Sequence, residues 1–359
     1  MKSLSHEAHE AYEAYEASGA QAAHAAVASR GLGENENGRP ARDAARLTDR
    51  IAPTRPVRHR GLSYTRKQFV AGWGVITPFL LAFLLVFALP VFQAVRDSLY
   101  TQVPVGGGLF GGGGMVDQFV GLANFRAVIT NRNFWAGMGR VLVYAAIQIP
   151  IMIGVALVLA MVLDSYLVRR VGGFRLAYFL PFAIPGAIAA MLWTYMYNPS
   201  ISPFTPFLPE GTRIVTQNTV IFAMANMTTW TFTGYNMLIF LAALQAIPHD
   251  LYEAARIDGA TGWQIATRIK LPILGPAALL TVLLSIVGTI QLFTEPTLLQ
   301  SQHHWMGFDY TPMMMAFNSL MGVITPSGRG PASAISVVMA LLAGVLAAIY
   351  ALVQRKLSR

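Results

Sequence analysis

Six long apolar segments, none with a charged side chain, constrain the fold of this chain more than any other feature. They cover residues 72–93, 141–163, 176–197, 219–247, 272–293 and 332–353. A helix needs about 20 apolar residues to cross the hydrocarbon core of a bilayer, and every segment reaches that length. Because backbone polar groups inside a membrane must be satisfied internally, the sequence predicts an all-α, polytopic membrane protein with six transmembrane helices.

The composition supports this class. Of the 359 residues, 54% are hydrophobic and 12% are charged, whereas soluble domains carry about 25% charged residues. The formal net charge is +9, but the basic residues are scattered along loop ends, so no nucleic-acid partner is predicted. The chain has no cysteine, which excludes disulfides, thiolate catalysis and Cys-ligated metals. No metal site is predicted.

The positions of Lys and Arg predict the orientation. If there are six spans, the basic residues cluster in four regions on one side: before the first span, after the second, after the fourth and after the sixth. They are Arg55, Arg58, Arg60, Arg66 and Lys67, then Arg169, Arg170 and Arg175, then Arg256, Arg268 and Lys270, and finally Arg355, Lys356 and Arg359. Basic loops favour the cytoplasmic side. Both termini are therefore predicted to be cytoplasmic.

Two regions are predicted along the chain. Residues 1–70 form a largely disordered cytoplasmic tail, in which a three-residue repeat at 6–17 gives a helix no stable apolar face. Residues 71–359 form the transmembrane domain. Its first span is not expected to be a cleavable signal peptide, because no small-residue cleavage site follows it. The Gly-rich stretch at 106–114 lacks Gly-Lys-Ser/Thr and is predicted to be a flexible external loop.

Lysine is rare in this chain. It occurs at Lys2, Lys67, Lys270 and Lys356, and none of these follows a Gly-x4-Gly pattern. The chain is therefore not expected to hydrolyse ATP through a P-loop. Any ATP-driven work must depend on a partner.

The loop after the fourth span, about residues 248–272, has a predictable structure of its own. Asp250 and Glu253 have the spacing of a capping box that opens a short helix. Gly259 suits the left-handed turn that ends such a helix. A second helix is predicted at 263–271, with Pro272 starting the fifth span. A short rigid helix held between two spans can transmit the motion of a soluble partner to both.

This loop resembles the "EAA" loop of ABC-importer permeases, the segment that docks into the ATP-hydrolysing subunit. The matching residues are Glu253, Ala254, Ala255, Asp258, Gly259, Ala260, Ile269, Leu271 and Pro272. The resemblance implies that the first six of these couple the chain to the ATPase. Ala266 stands where the family pattern has Phe, so one aromatic contact at the ATPase surface is unassigned. The alternative for the segment is an ordinary amphipathic helix at the membrane interface.

Other segments resemble the carbohydrate branch of these permeases, the maltose- and glycerol-phosphate-type subunits. They are Phe-Val-Gly-Leu-Ala-Asn-Phe at 119–125, Leu-Pro-Phe-Ala-Ile-Pro at 180–185, and Leu-Ala-Ala-Leu-Gln-Ala-Ile-Pro at 241–248. The Gly-Gly-Pro that often follows the fifth span is absent. Altogether the resemblance covers about residues 70–357 and implies an ABC-importer permease core in the bacterial plasma membrane.

The resemblance also implies the partners. They are a second homologous permease, an ABC ATPase dimer, an extracytoplasmic solute-binding protein, a carbohydrate substrate and membrane lipid. No cofactor is expected on this chain, because ATP with magnesium would be bound by the ATPase. The chain is expected to be a transport subunit and not an enzyme.

Polar and aromatic side chains in the spans are candidates for cargo binding. In the resembling permeases, spans equivalent to the fourth and fifth line the cavity, which selects Asn226, Trp230, Asn236, Thr289 and Gln291. Sugar sites combine hydrogen bonds from amides with an aromatic platform for the apolar sugar face. The alternative for each polar side chain is a hydrogen bond to a neighbouring helix.

Three residues near the membrane edge receive a simpler interpretation. Tyr197 is expected to be an aromatic anchor at the membrane interface. Glu295 and Asp309, in the outer loop after the fifth span, are expected to be solvated acids. Contact with a substrate-binding protein is the alternative for both.

The predicted function is import of a mono-, di- or oligosaccharide by the permease subunit of an ABC importer. The alternative is a six-span secondary transporter or channel for a neutral solute, but the spans have no acid or base for a proton relay and no visible inverted repeat. Within the importers, a phosphate ester would require Arg near the cavity, and a polyamine would require carboxylates. The spans contain neither.

Overall fold

The computed structural model describes residues 66–105, 114–165, 171–209 and 211–357. Contacts divide the chain into two compact units, one ending at Pro78 and the other beginning at Phe79. Helix α1, Arg66–Phe83, starts in the first unit, and all later elements belong to the second. Most of the predicted N-terminal tail, residues 1–65, lies outside the described residues.

The first predicted span is helical throughout. Helix α1 continues through a π-helical turn, Leu84–Ala88, into α2, Leu89–Asp97. Pro90 lies in the first turn of α2 and lacks an amide proton, which accounts for a local change in the hydrogen-bond ladder. Apolar side chains along this stretch are exposed, with Phe79 at 71% and Phe92 at 68%. Such a surface is typical of a helix that faces lipid or another subunit.

An antiparallel hairpin follows, which the sequence interpretation missed. Strand β1, Tyr100–Val105, pairs with β2, Gly114–Phe119, so that Tyr100 lies opposite Phe119. Two β-rich runs around a Gly-rich link are a hairpin signal. Of the predicted flexible loop, residues 106–113 lie outside the described residues.

Two long helices form the centre of the bundle. Helix α3, Ala123–Thr130, leads into α4, Arg132–Leu163, which packs along α7, Val220–Gln245. The Oδ1 atom of Asn131 caps α4 by accepting from the amides of Asn133 at 2.8 Å and Phe134 at 3.2 Å. Helix α4 begins nine residues before the apolar segment at 141, because its first turns carry Arg132 and Arg140, which a charge-free segment leaves out.

The third predicted span is broken. Helices α5, Val171–Ala183, and α6, Gly186–Met196, are bent by 93° relative to each other. Pro185 is extended, with φ −52° and ψ 130°, and ends the helical path. Helix α5 crosses α7 closely at Gly234, where an added Cβ would lie 1.8 Å from the carbonyl oxygen of Tyr178. Only glycine permits this crossing.

The fourth and fifth spans are bent where they meet the loop between them. Helix α7 is followed at 70° by α8, His249–Ile257. Helix α9, Gly262–Ile265, continues through a π-helical turn, Ala266–Lys270, into α10, Leu271–Ile273. Helix α11, Gly275–Ile290, then departs at 58°. Pro272 lies in α10, before this bend, and its place at the start of the fifth span stays a prediction.

Three short elements and one long helix complete the chain. They are a 3-10 turn at Thr205–Phe207, α12 at Thr294–Gln302, α13 at Pro312–Leu320 and α14 at Arg329–Leu357. Helix α14 packs against α2, α3, α11 and α13. The described part of the chain has three helices long and apolar enough to cross a membrane, or six if each bent pair forms one span. The all-α class is confirmed, and the count of six spans stays a prediction.

Candidate functional site

A cavity of about 340 Å³ lies in the centre of the bundle. Its walls come from α4, α7 and α11, and the turn from α11 into α12 closes one end. Residues from these segments include Gln148 on α4, Asn236 on α7, Thr289 on α11 and Glu295 on α12. The cavity therefore brings together side chains that are far apart in the sequence.

Helix α11 presents a stripe of hydroxyl groups to this cavity. Thr281, Ser285 and Thr289 follow each other at four-residue intervals, which places them on one face of the helix. Each hydroxyl donates its proton to the carbonyl oxygen one turn earlier, at 2.8, 2.8 and 2.7 Å. The lone pairs of the three oxygens are left to accept hydrogen bonds from a molecule in the cavity.

The α7 wall is aromatic. Phe232 and Tyr235 line the cavity and are a little over one-third exposed, and Phe182 stacks on the Tyr235 ring at 4.6 Å between centroids. Asn236 is buried and donates to the Phe232 carbonyl at 3.0 Å and to the sulfur of Met152 at 3.3 Å. Both of its amide protons are thus engaged within the protein.

A half-buried carboxylate lines the end of the cavity. Thr228 donates to Oε1 of Glu295 at 3.1 Å, and Tyr144 donates to Oγ1 of Thr228 at 2.7 Å. Glu295 is held there because α12 packs against α6 and α7, with Pro296 and Leu299 buried. Burial raises the pKa of Glu295 above its ordinary value of 4.5, although hydrogen bonds from its own backbone amide and from Thr228 act in the opposite direction.

The expectation that Glu295 is a solvated acid is therefore wrong. The physical reason is that α12 turns back onto the bundle directly after the fifth span, which a count of residues after the span does not reveal. Asp309 does lie at the surface, where its Oδ2 accepts from Asn133 at 2.7 Å.

The five predicted cargo residues divide into two groups. Asn236, Thr289 and Gln291 line the central cavity. Asn226 and Trp230 do not. They lie on another face of α7, which carries a second hollow of about 380 Å³ lined by Trp193, Tyr197 and Asn226.

Asn226 and Trp230 contact α6 and the residue that follows it. The Asn226 amide donates to the Tyr197 hydroxyl at 2.8 Å, and the Trp230 ring meets Trp193 edge to face at 5.8 Å. Tyr197 is 8% exposed, so its predicted role as an interfacial anchor is wrong: its hydroxyl is turned inward onto the Ala223 carbonyl.

The segment at 248–272 has an outer face, which is exposed, and an inner face, which packs against the helix bundle. Glu253, Ala254, Asp258 and Gly259 are exposed. Ala255 and Ala260 are half-buried and pack against the apolar cluster formed largely by α4 and α7.

The turn at the end of α8 was correctly predicted. Gly259 has a φ of +80°, a conformation that favours glycine. Its amide donates to the Arg256 carbonyl at 2.9 Å, and the Ala260 amide donates to the Ala255 carbonyl at 2.9 Å. This pair of bonds fixes the direction in which the chain leaves the helix.

The predicted capping box at Asp250 and Glu253 is wrong. Helix α8 begins at His249 after Pro248 without a side-chain cap, so Asp250 already lies within the first turn. The capping box lies at Thr261 and Gln264, whose side chains each accept from the other residue's backbone amide, at 3.3 and 2.7 Å. The Thr-x-x-Gln spacing was the signal for it.

A partly buried ion pair ties this segment to α4. The Lys270 ammonium binds the Asp164 carboxylate at the end of α4, and the two side chains are 12% and 15% exposed. The same ammonium lies 5.0 Å from the centre of the Tyr252 ring on α8, and Tyr252 is 8% exposed. Sequence reasoning missed this cluster, although the rarity of lysine singled out Lys270.

Among the described residues, no group of three or more His, Asp or Glu side chains is placed to hold a metal ion.

Comparison with known proteins gives a family and a fold. Residues 152–359 match the family described as "Binding-protein-dependent transport system inner membrane component". This match covers more than half of the chain. The chain is also similar to an alginate ABC transporter, solved in complex with a periplasmic protein carrying an alginate pentasaccharide. The TM-score is 0.69 at 18% identity, with 84% of this chain and 99% of that chain covered.

Curated relatives extend the likeness to sequence. The lactose transport system permease protein LacF of Rhizobium radiobacter is 32% identical over 244 residues, which is 65% of this chain and 77% of the relative. The arabinooligosaccharides transport system permease protein AraP of Bacillus subtilis is 31% identical, covering 66% and 73%. The sn-glycerol-3-phosphate transport system permease protein UgpA of Agrobacterium fabrum is 30% identical, covering 62% and 73%.

Proposed function

The chain belongs to the family of binding-protein-dependent transport system inner membrane components, and on this premise we propose that it is the permease subunit of an ATP-driven importer for a neutral mono-, di- or oligosaccharide. It is a multi-pass membrane protein and a transport subunit, not an enzyme. We place it in the bacterial plasma membrane, together with a second homologous permease.

The central cavity is the observation that carries the carbohydrate assignment. Its α11 wall offers hydroxyl oxygens, its α7 wall offers the faces of Phe232 and Tyr235, and Glu295 supplies a carboxylate. Sugars present many hydroxyl donors around an apolar ring face, so acceptors opposite aromatic rings are complementary to them. The names of LacF and AraP, which refer to lactose and arabinooligosaccharides, support the same class of cargo.

The proposed mechanism is alternating access without covalent chemistry on this chain. An ATPase dimer binds the outer face of α8 through Glu253, Ala254, Asp258 and Gly259, which are exposed. Closure of the dimer on ATP with magnesium moves α8. Because the ion pair of Lys270 with Asp164 ties the 248–272 segment to α4, the motion reaches a helix that lines the cavity.

The inner face of the segment has a different role in this mechanism. Ala255 and Ala260 keep α8 packed on the bundle, so that the helix moves with the spans and not independently of them. The cavity then opens outward and accepts the sugar from an extracytoplasmic binding protein.

The test is transport by the complete importer. The two permeases, the ATPase and the binding protein are reconstituted in proteoliposomes with ATP inside, and a mixture of sugars is supplied outside. Accumulation of a carbohydrate with ATP, but not with a non-hydrolysable analogue, is the expected result. Accumulation that needs a proton gradient and no ATP would establish a secondary transporter in its place.

A further inference from the structure

The charge on the wall of the central cavity has one sign. Among the described residues that line it, Glu295 is acidic, and none is Lys, Arg or His. The carboxylate is part of a built site, because it is held by Thr228 and, through it, by Tyr144. The cavity therefore has a fixed acceptor at one end.

The direction of the hydrogen bonds assigns the role of this carboxylate. Tyr144 donates to Thr228, and Thr228 donates to Glu295, so the chain of donors ends on the carboxylate oxygen. Within this chain of hydrogen bonds, the hydroxyl protons of Tyr144 and Thr228 are both already donated. The carboxylate also accepts from the backbone amide of Glu295, and its remaining lone pairs can accept hydrogen bonds from a molecule in the cavity.

The rest of the wall has the same bias. The hydroxyl groups of Thr281, Ser285 and Thr289 donate their protons to carbonyl oxygens of α11. Gln148 donates to the Met152 sulfur at 3.1 Å. These side chains offer acceptors to a cargo that is rich in hydrogen-bond donors, while Tyr235, Gln291 and Thr294 on the same wall can both donate and accept.

From these contacts we propose that Glu295 is a specificity-determining residue that receives adjacent hydroxyl donors of a neutral carbohydrate and rejects anionic sugars. A carboxylate has two oxygens and forms strong, charge-assisted hydrogen bonds with such a pair of donors. A phosphate ester or uronate would bring a like charge close to Glu295 in a site of low dielectric, where repulsion is strong. The inference rests on the proposed carbohydrate import and narrows its cargo.

The experiment uses the complete importer in proteoliposomes with ATP inside. The probes are an equimolar mixture of neutral mono- to pentasaccharides, their uronate and phosphate counterparts, and amino sugars, and mass spectrometry identifies what reaches the lumen. The wild-type importer is expected to accumulate neutral sugars. The isosteric Glu295→Gln variant is expected to lower this uptake at least about tenfold, because a charge-assisted acceptor is lost.

Two control variants and two parallel measurements separate a loss of recognition from a loss of folding. Asp117→Asn changes an exposed carboxylate on strand β2 and is expected to leave uptake unchanged. Glu295→Asp keeps the charge, and should retain the rejection of anions even if uptake falls. The thermal unfolding of each variant and the affinity of the separate binding protein for its sugar are measured in parallel, so that neither a folding defect nor the binding protein can account for the result.

The outcomes distinguish a failure of the role proposed for Glu295 from a failure of the proposed carbohydrate import. Import of uronates or phosphate esters by the wild type, or of amino sugars alone, would overturn the role of Glu295 and leave carbohydrate import standing. Wild-type uptake by a folded Glu295→Gln variant would do the same. ATP-driven accumulation of no carbohydrate at all would overturn both the inference and the proposed function.

Discussion

The ammonium group of Lys270 and the carboxylate of Asp164 form a partly buried ion pair across 106 positions of the sequence. The pair joins the end of α4 to the turn before the fifth span, and the ring of Tyr252 covers the ammonium at 5.0 Å. Removing one member of a buried pair is costly because the other charge is left unpaired, at about 3–5 kcal/mol. Removing both leaves no such charge.

The first prediction follows from this asymmetry. Lys270→Met and Asp164→Asn are each expected to lower the thermal unfolding temperature of the purified chain and to reduce uptake by the importer. The double variant is expected to recover much of the stability but not the uptake, since α4 and the loop are no longer tied together. Lys356→Met, at an exposed position, is the control. Equal losses for the double variant and the sum of the two single variants would contradict the account.

A second prediction concerns the crossing of α5 and α7. An alanine Cβ at position 234 would lie 1.8 Å from the Tyr178 carbonyl oxygen, so the helices must separate. Gly234→Ala is expected to destabilise the chain by about 1–3 kcal/mol or more. Gly154→Ala, on α4 with nothing within 4 Å of the added methyl group, should be neutral or stabilising. Thermal unfolding in detergent compares the two, and equal stabilities would show that the crossing tolerates the methyl group.

A third prediction concerns the outer face of α8. Glu253 is exposed, so Glu253→Lys should leave the chain folded and inserted. Because the substitution reverses a charge on the proposed docking surface, the variant is expected to capture less ATPase and to uncouple ATP hydrolysis from uptake. Asp117→Lys, a reversal on the hairpin, is the matched control. Wild-type uptake by Glu253→Lys would remove Glu253 from the coupling surface.

A fourth prediction concerns pH. Burial raises the pKa of Glu295 in the folded chain above 4.5, so its protonation stabilises the fold. This contribution is complete below the unfolded pKa and is lost as the pH rises through the folded value. Tyr144 and Tyr235 are the other titratable groups on the cavity wall. The wild type should therefore gain stability relative to Glu295→Gln as the pH falls from 7 toward 4.5, as read from thermal unfolding. A difference that does not change with pH would contradict the burial of this carboxylate.

Local signals were predicted well from the sequence. The turn at Gly259 needs only the four residues before it, since a helix ending in a left-handed residue favours glycine. The apolar segments likewise locate the helices of the bundle. The capping box was predicted at the wrong position because the loop offers two such spacings. Helix α8 begins directly after Pro248, so that Asp250 lies inside its first turn.

The cavity was harder to predict because it depends on which face of each helix points toward it and on how α12 folds back onto the bundle. On α7 the lining residues Thr228, Phe232, Tyr235 and Ile239 repeat at intervals of four, three and four, which marks one helical face. Asn226 and Trp230 fall outside this stripe. The predicted cargo residues were selected without regard to the helical face on which each lies, and they therefore combined residues from two different faces of α7. Glu295 depends on the packing of α12 onto α6 and α7, and no local pattern reveals that contact.

The most direct test of the central claim is to identify what co-purifies with the tagged chain from its host's membranes in mild detergent. Mass spectrometry is expected to find a P-loop ATPase and a second permease of the same family, and only the ATPase is expected to be depleted in a parallel purification of Glu253→Lys. Recovery of the wild-type chain alone, stable and monodisperse, would contradict the account of this protein as a coupled importer subunit.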